Sequence, residues 1–525
     1  MASPLESLFY TVYALWLLSN LLGNPMRRPS ITLTSLALAT ALLTACGSQV
    51  VNPVSGKTER SAMTESAEVA EGKKSHEQVL QEYSALKNPK LQAYVNEIGQ
   101  RLAKQSQRAN LVWTFTVLDS PEINAFALPG GYVYVTRGIM AYMESEADLA
   151  GVIGHEIGHV TARHGAQRAT RQQNAGIGVL AASVLGVLLE AKGVGGASDA
   201  LGGIAQNVAG GYVAKYGREQ ELQADGLGAE YLSRVQFDPR NMIDVINVLK
   251  NQERFAADQA RAEGRPVPEQ NTYLASHPSN DQRLETITKL AAQYKATTPY
   301  QDEGRARYLQ MMEGVAFGES AEQGLTRGRN FYHEGLGIAI TAAQGWKVQN
   351  GADEITLINA TRDAGLILHL VPPKAGNTHE EIIRNLIKPD TGRANPIKIN
   401  GLNATHFVGT QRAQNGQSQN LELTVVTGPA NGNYILTYAA RDAATLQRNR
   451  AQMAETENSF RAITAADKAA AKPWILRTAS MPRGGFAELA RSSPLASAEQ
   501  QLKLINGVYA GGEIKPGAPV KVVVQ

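Results

Sequence analysis

Cysteine is almost missing: Cys46 is the single one in 525 residues. No intrachain disulfide can form, so the fold must stand on its packed cores. Charge bias is missing as well. Lys and Arg number 51 against 48 Asp and Glu, a formal net charge of +3. There is neither a basic tract that would suggest nucleic acid nor an acidic tail. No internal repeat is evident. What remains is ordinary: 43% apolar and 19% charged residues argue against wholesale disorder. The length exceeds one core and predicts two or three domains.

The one cysteine matters by its position. "MRRPSITLTSLALATALLTAC" runs from Met26 to Cys46, with arginines, a short apolar run and small residues before a cut, the layout of a bacterial signal peptide. "LTAC" resembles the lipobox of bacterial lipoproteins, which implies lipidation of Cys46 and a membrane lipid anchor. Gly47 in the next position favours, by the same resemblance, the periplasmic face of the outer membrane. The alternative is an uncleaved anchor helix, although the run is shorter than the roughly 20 residues of a membrane span. Translation is expected to start at Met26, leaving residues 1–25 as a spurious upstream extension, 26–45 as the signal peptide and 46–75 as a tether. The alternative there is a real second apolar segment.

A catalytic domain is expected over residues 76–310. Leu91, Tyr94, Val95, Ile98 and Leu102 follow a helical period. "LVWTFTVLDS" reads as a strand, and "INAFALPGGYVYVTRG" as a hairpin turning at Pro129, Gly130 and Gly131. Ser145 with Asp148 makes a capping box ahead of "GHEIGHVTARHG". On that helix His155 and His159 share a face one turn apart and can reach one ion. Zinc accepts such imidazole nitrogens and needs a third protein ligand plus an open position for catalysis. Glu156 is placed to take a proton from the attacking water. His164 fails as the third ligand: the metzincin pattern needs glycine and histidine where Ala162 and Gly165 stand. It lies about 140° round an ideal helix from His159, which reads as a surface or packing histidine. In "GREQELQADGLGAEYL", Glu221 and Asp225 share a helix face, suiting a glutamate ligand with an aspartate that orients a ligand histidine. Glu219 sits about 200° round from Glu221, so only one can face the metal.

"SEADLAGVIGHEIGHVTARHG", "REQELQAD" and "SHPSNDQR", in that order, resemble the gluzincin metallopeptidases of the BepA, LoiP and HtpX type, relatives of the CAAX prenyl protease. The likeness implies one zinc ion per chain on His155, His159 and Glu221, Glu156 as general base and Asp225 behind the ligands. By its chemistry alone His277 is a lone histidine before a proline, and loop capping is the default. The resemblance instead puts it near the metal with Arg283, in catalytic roles; His277 would stabilise the oxyanion or act as an extra ligand in a latent state. Asn124 and Ala125 match the family's edge strand, which holds an extended peptide by backbone pairing. The tetratricopeptide repeats of some relatives are absent.

The glycine-broken apolar stretch from Asn174 to Gly217 reads as buried helices packed through small residues, with a mobile lid or membrane-facing plug as the alternative. Residues 328–466 show short strand-like runs and two helices, an α+β accessory domain faintly similar to the PsbP/Mog1 type. His333, His369, His379 and His406 share no ligand spacing there. Residues 475–525 resemble a LysM module, which implies peptidoglycan as a partner; a plain structural cap is the alternative. The expected fold class is therefore α+β: a mainly helical gluzincin domain with a small edge-strand sheet, an accessory domain and a small C-terminal module. The expected activity is a zinc endopeptidase acting on unfolded or misassembled envelope proteins, with a chaperone or assembly factor as the alternative. No nucleic acid partner is expected.

Overall fold

The computed structural model describes residues 48–171, 173, 216–264, 266–267, 277, 281–294, 299–351, 354–412 and 418–525. The segment expected to be a signal peptide, Cys46 and nearly all of the apolar stretch lie outside the described residues. The chain divides into two units. Of the smaller one, residues 48–50, 59–64, 169–171 and 173 are described; there the Ala62 amide donates to Thr170 Oγ1 at 2.8 Å. Everything below concerns the larger unit. Among the described residues no helix is long and apolar enough to cross a membrane.

The fold class is α+β. Helix α1 spans Glu65–Glu82, so the stretch expected as a tether to residue 75 is already folded from Glu65. The reason is a buried ion-pair cluster: Glu68, 1% exposed, lies 2.9 Å from Arg108 Nη2 and 3.0 Å from Arg163 Nε. Helix α2 spans Pro89–Ala103, begun by the Asn88 side chain accepting from Leu91 N, and buries the five apolar residues its period predicts. Strands β1 (Thr114–Leu118), β2 (Ala125–Leu128) and β3 (Tyr132–Thr136) form one sheet with β3 central. β2 and β3 are the expected hairpin; β1 pairs with β3 in parallel. β2 therefore forms an edge of this sheet.

Helix α3, Glu146–Thr161, carries the two histidines and is buried along its whole length. Ser145 Oγ accepts from Asp148 N as expected, but the Asp148 carboxylate caps Glu144 N and not Ser145. Against α3 packs α4, Arg218–Arg234. The two helices meet through glycines: a Cβ on Gly154 would lie 3.3 Å from Gly228 Cα, and one on Gly158 would lie 3.1 Å from the Ala224 carbonyl oxygen. Helices α5 (Asn241–Ala262) and α6 (Asp281–Ala291) complete this region.

The accessory region is built on a seven-stranded antiparallel sheet. Its strands are β4 (Lys347–Asn350), β5 (Glu354–Ile358), β6 (Ala364–Leu370), β7 (Thr391–Ile399), β8 (Leu402–Arg412), β9 (Ser418–Thr427) and β10 (Asn433–Ala440), in the order β4-β5-β6-β10-β9-β8-β7. Helix α7, Ala443–Asn458, packs on β6 and β10. The last residues are not a separate module. Strands β11 (Trp474–Ser480) and β12 (Pro519–Val524) pair with each other, and β11 also pairs with Ala316–Phe317. Leu476, Phe486, Leu502 and Val523 are buried in the same apolar core as Ile153 and Ile157 of α3. Residues 475–525, read as a small LysM-like module or a structural cap, thus share the core of α3.

Candidate metal centre

Four side chains from three segments converge. His155 and His159 come from α3, Glu221 from the first turn of α4, and His277 from the segment before α6. Each offers one donor atom, and all four atoms lie within 4.8 Å of one another in a buried setting. His155 Nε2 stands 3.0 Å from His159 Nε2 and 3.3 Å from His277 Nδ1. Glu221 Oε1 stands 3.0 Å from His277 Nδ1 and 3.4 Å from His159 Nε2. Glycine contacts between α3 and α4 let the helices approach closely enough for Glu221 to reach the histidine pair.

This donor set fits a zinc ion. Tetrahedral bonds of about 2.0–2.1 Å separate the donors by about 3.3 Å, the spacing found here. Several imidazole lone pairs turned on one point cannot all be satisfied by protons, whereas one cation satisfies them together. Glu156 gives a second observation. It is completely buried, and neither carboxylate oxygen has a hydrogen-bond partner among the described residues. A buried carboxylate without donors is costly, and a site that takes water and a metal supplies what it lacks.

Behind the donors lie two hydrogen-bonded chains. His155 Nδ1 donates to Asp225 Oδ1 at 2.9 Å, and Arg283 grips Asp225 through Nε and Nη2, both at 2.8 Å. Arg283 Nη1 also lies 3.0 Å from Glu221 Oε2. Arg283, for which the family resemblance implied a catalytic role, thus contacts both Asp225 and Glu221. The second chain runs through His164. Its Nδ1 meets His159 Nδ1 at 2.8 Å and its Nε2 meets Gln223 Oε1 at 3.0 Å. If His159 turns Nε2 to the metal, its Nδ1–H donates to His164, and His164 Nε2–H donates to Gln223, which fixes both tautomers. Of the reading of His164 as a surface or packing histidine, the surface part fails and the packing part stands: it is fully buried against His159 and outside the donor group. Helix α3 ends at Thr161, and Arg163 adopts φ 60. The ideal-helix angle therefore does not apply, and the chain turns His164 back onto His159. The HExxH spacing alone carried no signal for this.

Electrostatics agree with the donor roles. Burial holds His159 well below its ordinary range, neutral and ready to donate a lone pair. Burial alone would lower His155 too, but the Asp225 hydrogen bond outweighs it and raises the imidazole. Burial would raise Glu221; the His277 and His159 rings overcome it and keep the carboxyl well below the usual range. Glu156 goes the other way, raised chiefly by burial, as suits a proton acceptor that must later give the proton back. Tyr216 stacks on His159 with ring centroids 3.9 Å apart, a contact between residues 57 positions apart that no local pattern announces. Asn124 and Ala125 stand at the start of edge strand β2, where the Asn124 carbonyl accepts from Thr136 N at 3.0 Å.

Comparison with known proteins follows the same segments. The model of peptidase family M48 matches residues 89–291. The beta-barrel assembly-enhancing protease of Yersinia pestis is 32% identical over 212 residues, 40% of this chain and 40% of that protein. Its counterpart in Escherichia coli (strain K12) is 31% identical over 214 residues, 40% of this chain and 41% of that protein. The mitochondrial metalloendopeptidase OMA1 of Schizosaccharomyces pombe is 32% identical over 196 residues, 37% of this chain and 51% of that protein. The chain thus spans about half or less of the length of these relatives. The solution structure of cyanobacterial PsbP from Synechocystis matches 28% of this chain and 98% of that chain at 11% identity, with a TM-score of 0.20.

Proposed function

We propose, for a chain whose residues 89–291 match the model of peptidase family M48, that it is a zinc-dependent endopeptidase acting on unfolded or misassembled proteins of the cell envelope. The observation that carries this is the buried Glu156 carboxylate, without hydrogen-bond partners, beside a converged His155–His159–Glu221 donor set. A purely structural metal site has no use for a base there. Zinc, when bound, would supply a Lewis acid that polarises the scissile carbonyl and makes water acidic near neutral pH. Glu156 accepts the proton from the attacking water and passes it to the leaving amine. Asp225 and His164 hold the two imidazoles in the tautomers that face the ion. Arg283 holds Asp225.

His277 has two candidate roles, oxyanion donor or fourth ligand. Its Nδ1 sits 3.0 Å from Glu221 Oε1, inside the donor group, which favours the fourth-ligand reading. As a fourth ligand His277 would hold the zinc together with His155, His159 and Glu221, and its withdrawal would open a position for the attacking water. Edge strand β2, from Asn124 and Ala125 onward, lends backbone groups to an extended substrate, which suits unfolded chains. The relatives named for β-barrel assembly and the lipobox at Cys46 support an envelope location, lipid-anchored at the periplasmic face of the outer membrane.

The test compares zinc-loaded wild type with Glu156→Gln and His277→Ala on an unfolded outer-membrane protein. Wild type is expected to cut, Glu156→Gln to retain zinc and not cut, and His277→Ala to cut several-fold faster. Loss of cleavage in His277→Ala with zinc retained would favour the oxyanion role. Equal cleavage by Glu156→Gln and wild type would remove the peptidase reading.

A further inference from the structure

A cleft of about 530 Å³ lies between the metallopeptidase region and the seven-stranded sheet. One wall is Tyr83 and Ser84 after α1 with Pro121 and Glu122 before β2; the other includes Phe331, Leu336, Leu370 and Tyr434. Two properties set it apart from an ordinary domain seam. The sheet side carries the apolar side chains of Leu336, Ile355 and Leu370, and Leu370 leaves half its surface, 50%, in water. The charge is also of one sign. Glu82, Asp119, Glu122, Glu319, Glu322 and Glu354 line the cleft, and its described lining contains no lysine or arginine.

Four of those carboxylates have partners. Asp119 pairs with Arg137, Glu319 accepts from Thr326 and Asn350, Glu322 pairs with Lys87, and Glu354 pairs with His369. Glu82 and Glu122 instead repel each other: burial first, then the Glu82 charge, raise the Glu122 carboxyl above its ordinary range. The cleft also opens beside the edge strand. Glu122 lies three residues before Ala125, within about 10 Å along an extended chain, and the Tyr83 ring on the cleft wall stands 6.3 Å from Phe126 of β2.

We propose that this cleft is a second docking site for the substrate chain. Its occupant is an extended polypeptide segment in which lysine or arginine neighbours an aromatic or aliphatic residue. The cation meets Glu82 and Glu122, the apolar neighbour lies on Leu370 with Leu336 and Ile355 beside it, and the same chain continues onto β2. Nucleic acid and anionic lipid carry the wrong charge for such a lining. The proposal rests on the peptidase reading for the word substrate, but the docking itself is measured without cleavage.

The experiment uses the full chain as zinc-loaded Glu156→Gln. Two fluorescein-labelled peptides are titrated by anisotropy, one alternating lysine with phenylalanine and leucine, the other with glutamate at each lysine position. The cationic peptide is expected to bind at least tenfold tighter. The exposed double substitution Glu82→Gln with Glu122→Gln should lower that affinity about tenfold, as two surface ion pairs allow, and Leu370→Ser should lower it independently. In a chain with Glu156 intact, the double substitution should raise KM for a long unfolded substrate with kcat unchanged. Equal binding of the two peptides, or unchanged affinity and KM in the double variant, overturns the cleft. A wild type that cuts nothing while the contrast between peptides persists overturns the peptidase reading and supports the docking site.

Discussion

His164→Ala removes the group that fixes the His159 tautomer. The His159 Nδ1–H then loses its acceptor at 2.8 Å, the ring can rotate or re-tautomerise, and the ligand set loosens. Partners behind metal ligands are worth about 10–100-fold in metal affinity. Competition against a chelator should therefore show zinc binding weakened about tenfold or more, and Gln223→Ala should weaken it less. Unchanged affinity in His164→Ala would mean that His159 is held by its Tyr216 stack alone. At this scale the sequence is legible where chemistry fixes spacing. One helix turn between His155 and His159, with Glu156 beside the first, is a local pattern, and Glu221 with Asp225 is another. His164 is illegible because its place depends on where α3 stops, which Arg163 at φ 60 decides. The role of Arg283 depends on what it touches, and three donors on Asp225 and Glu221 are not written in its own surroundings.

Between elements, close approach decides whether the centre exists at all. Gly158→Ala puts a methyl 3.1 Å from the Ala224 carbonyl oxygen and 3.2 Å from Ala224 Cα. Both atoms belong to the backbone of α4, so the helix and not a flexible side chain must give way. Overpacking of this kind costs about 1–3 kcal/mol, and the shift falls on the helix that carries Glu221. The expected outcome is a lower melting temperature together with weaker zinc binding, whereas an equally destabilising substitution in the accessory sheet should leave zinc affinity alone. The accessory sheet offers its own test through His406 on β8. The carboxylates of Glu422, 3.3 Å from Nε2, and of Glu457 on α7, 3.9 Å from Nδ1, raise this imidazole to about 9. The folded value lies above the unfolded one, so the stabilisation is complete below about pH 6.5 and is lost as pH rises through about 9. It amounts to about 1–3 kcal/mol. Urea titrations from pH 6 to 10 should show that loss in wild type and a flatter profile in His406→Gln; parallel profiles would remove the cluster as its source. The apolar period of α2 and the turn residues of the β2–β3 hairpin could be read from sequence because both are local. The parallel pairing of β1 with β3 could not.

Within the larger unit, strands β11 and β12 return the chain to the core of α3. Residues 475–525 looked separable because the accessory domain stands between them and the catalytic region in the chain, and linear order hides a return. The return is made by β11 and β12, and it is fastened by Lys521. That ammonium is 1% exposed; it donates to the carbonyls of Ala141 at 3.0 Å and Met143 at 2.5 Å and lies 2.8 Å from Glu144 Oε1. These acceptors sit immediately before Ser145, the residue that starts α3. Lys521→Met keeps the stem but leaves two carbonyls without this donor and Glu144 with Arg305 as its remaining partner. Breaking one side of a buried pair costs about 3 kcal/mol or more. Because Leu502 and Val523 share a core with Ile153 and Ile157, that cost should fall on the catalytic domain as well. Equilibrium unfolding in urea should therefore show Trp474 fluorescence and zinc release moving together to a lower midpoint in Lys521→Met. An early transition of the fluorescence alone, with zinc release at the wild-type midpoint, would restore an independent C-terminal module. Coincident midpoints would instead make the C-terminal strands part of what holds the metal helix in place.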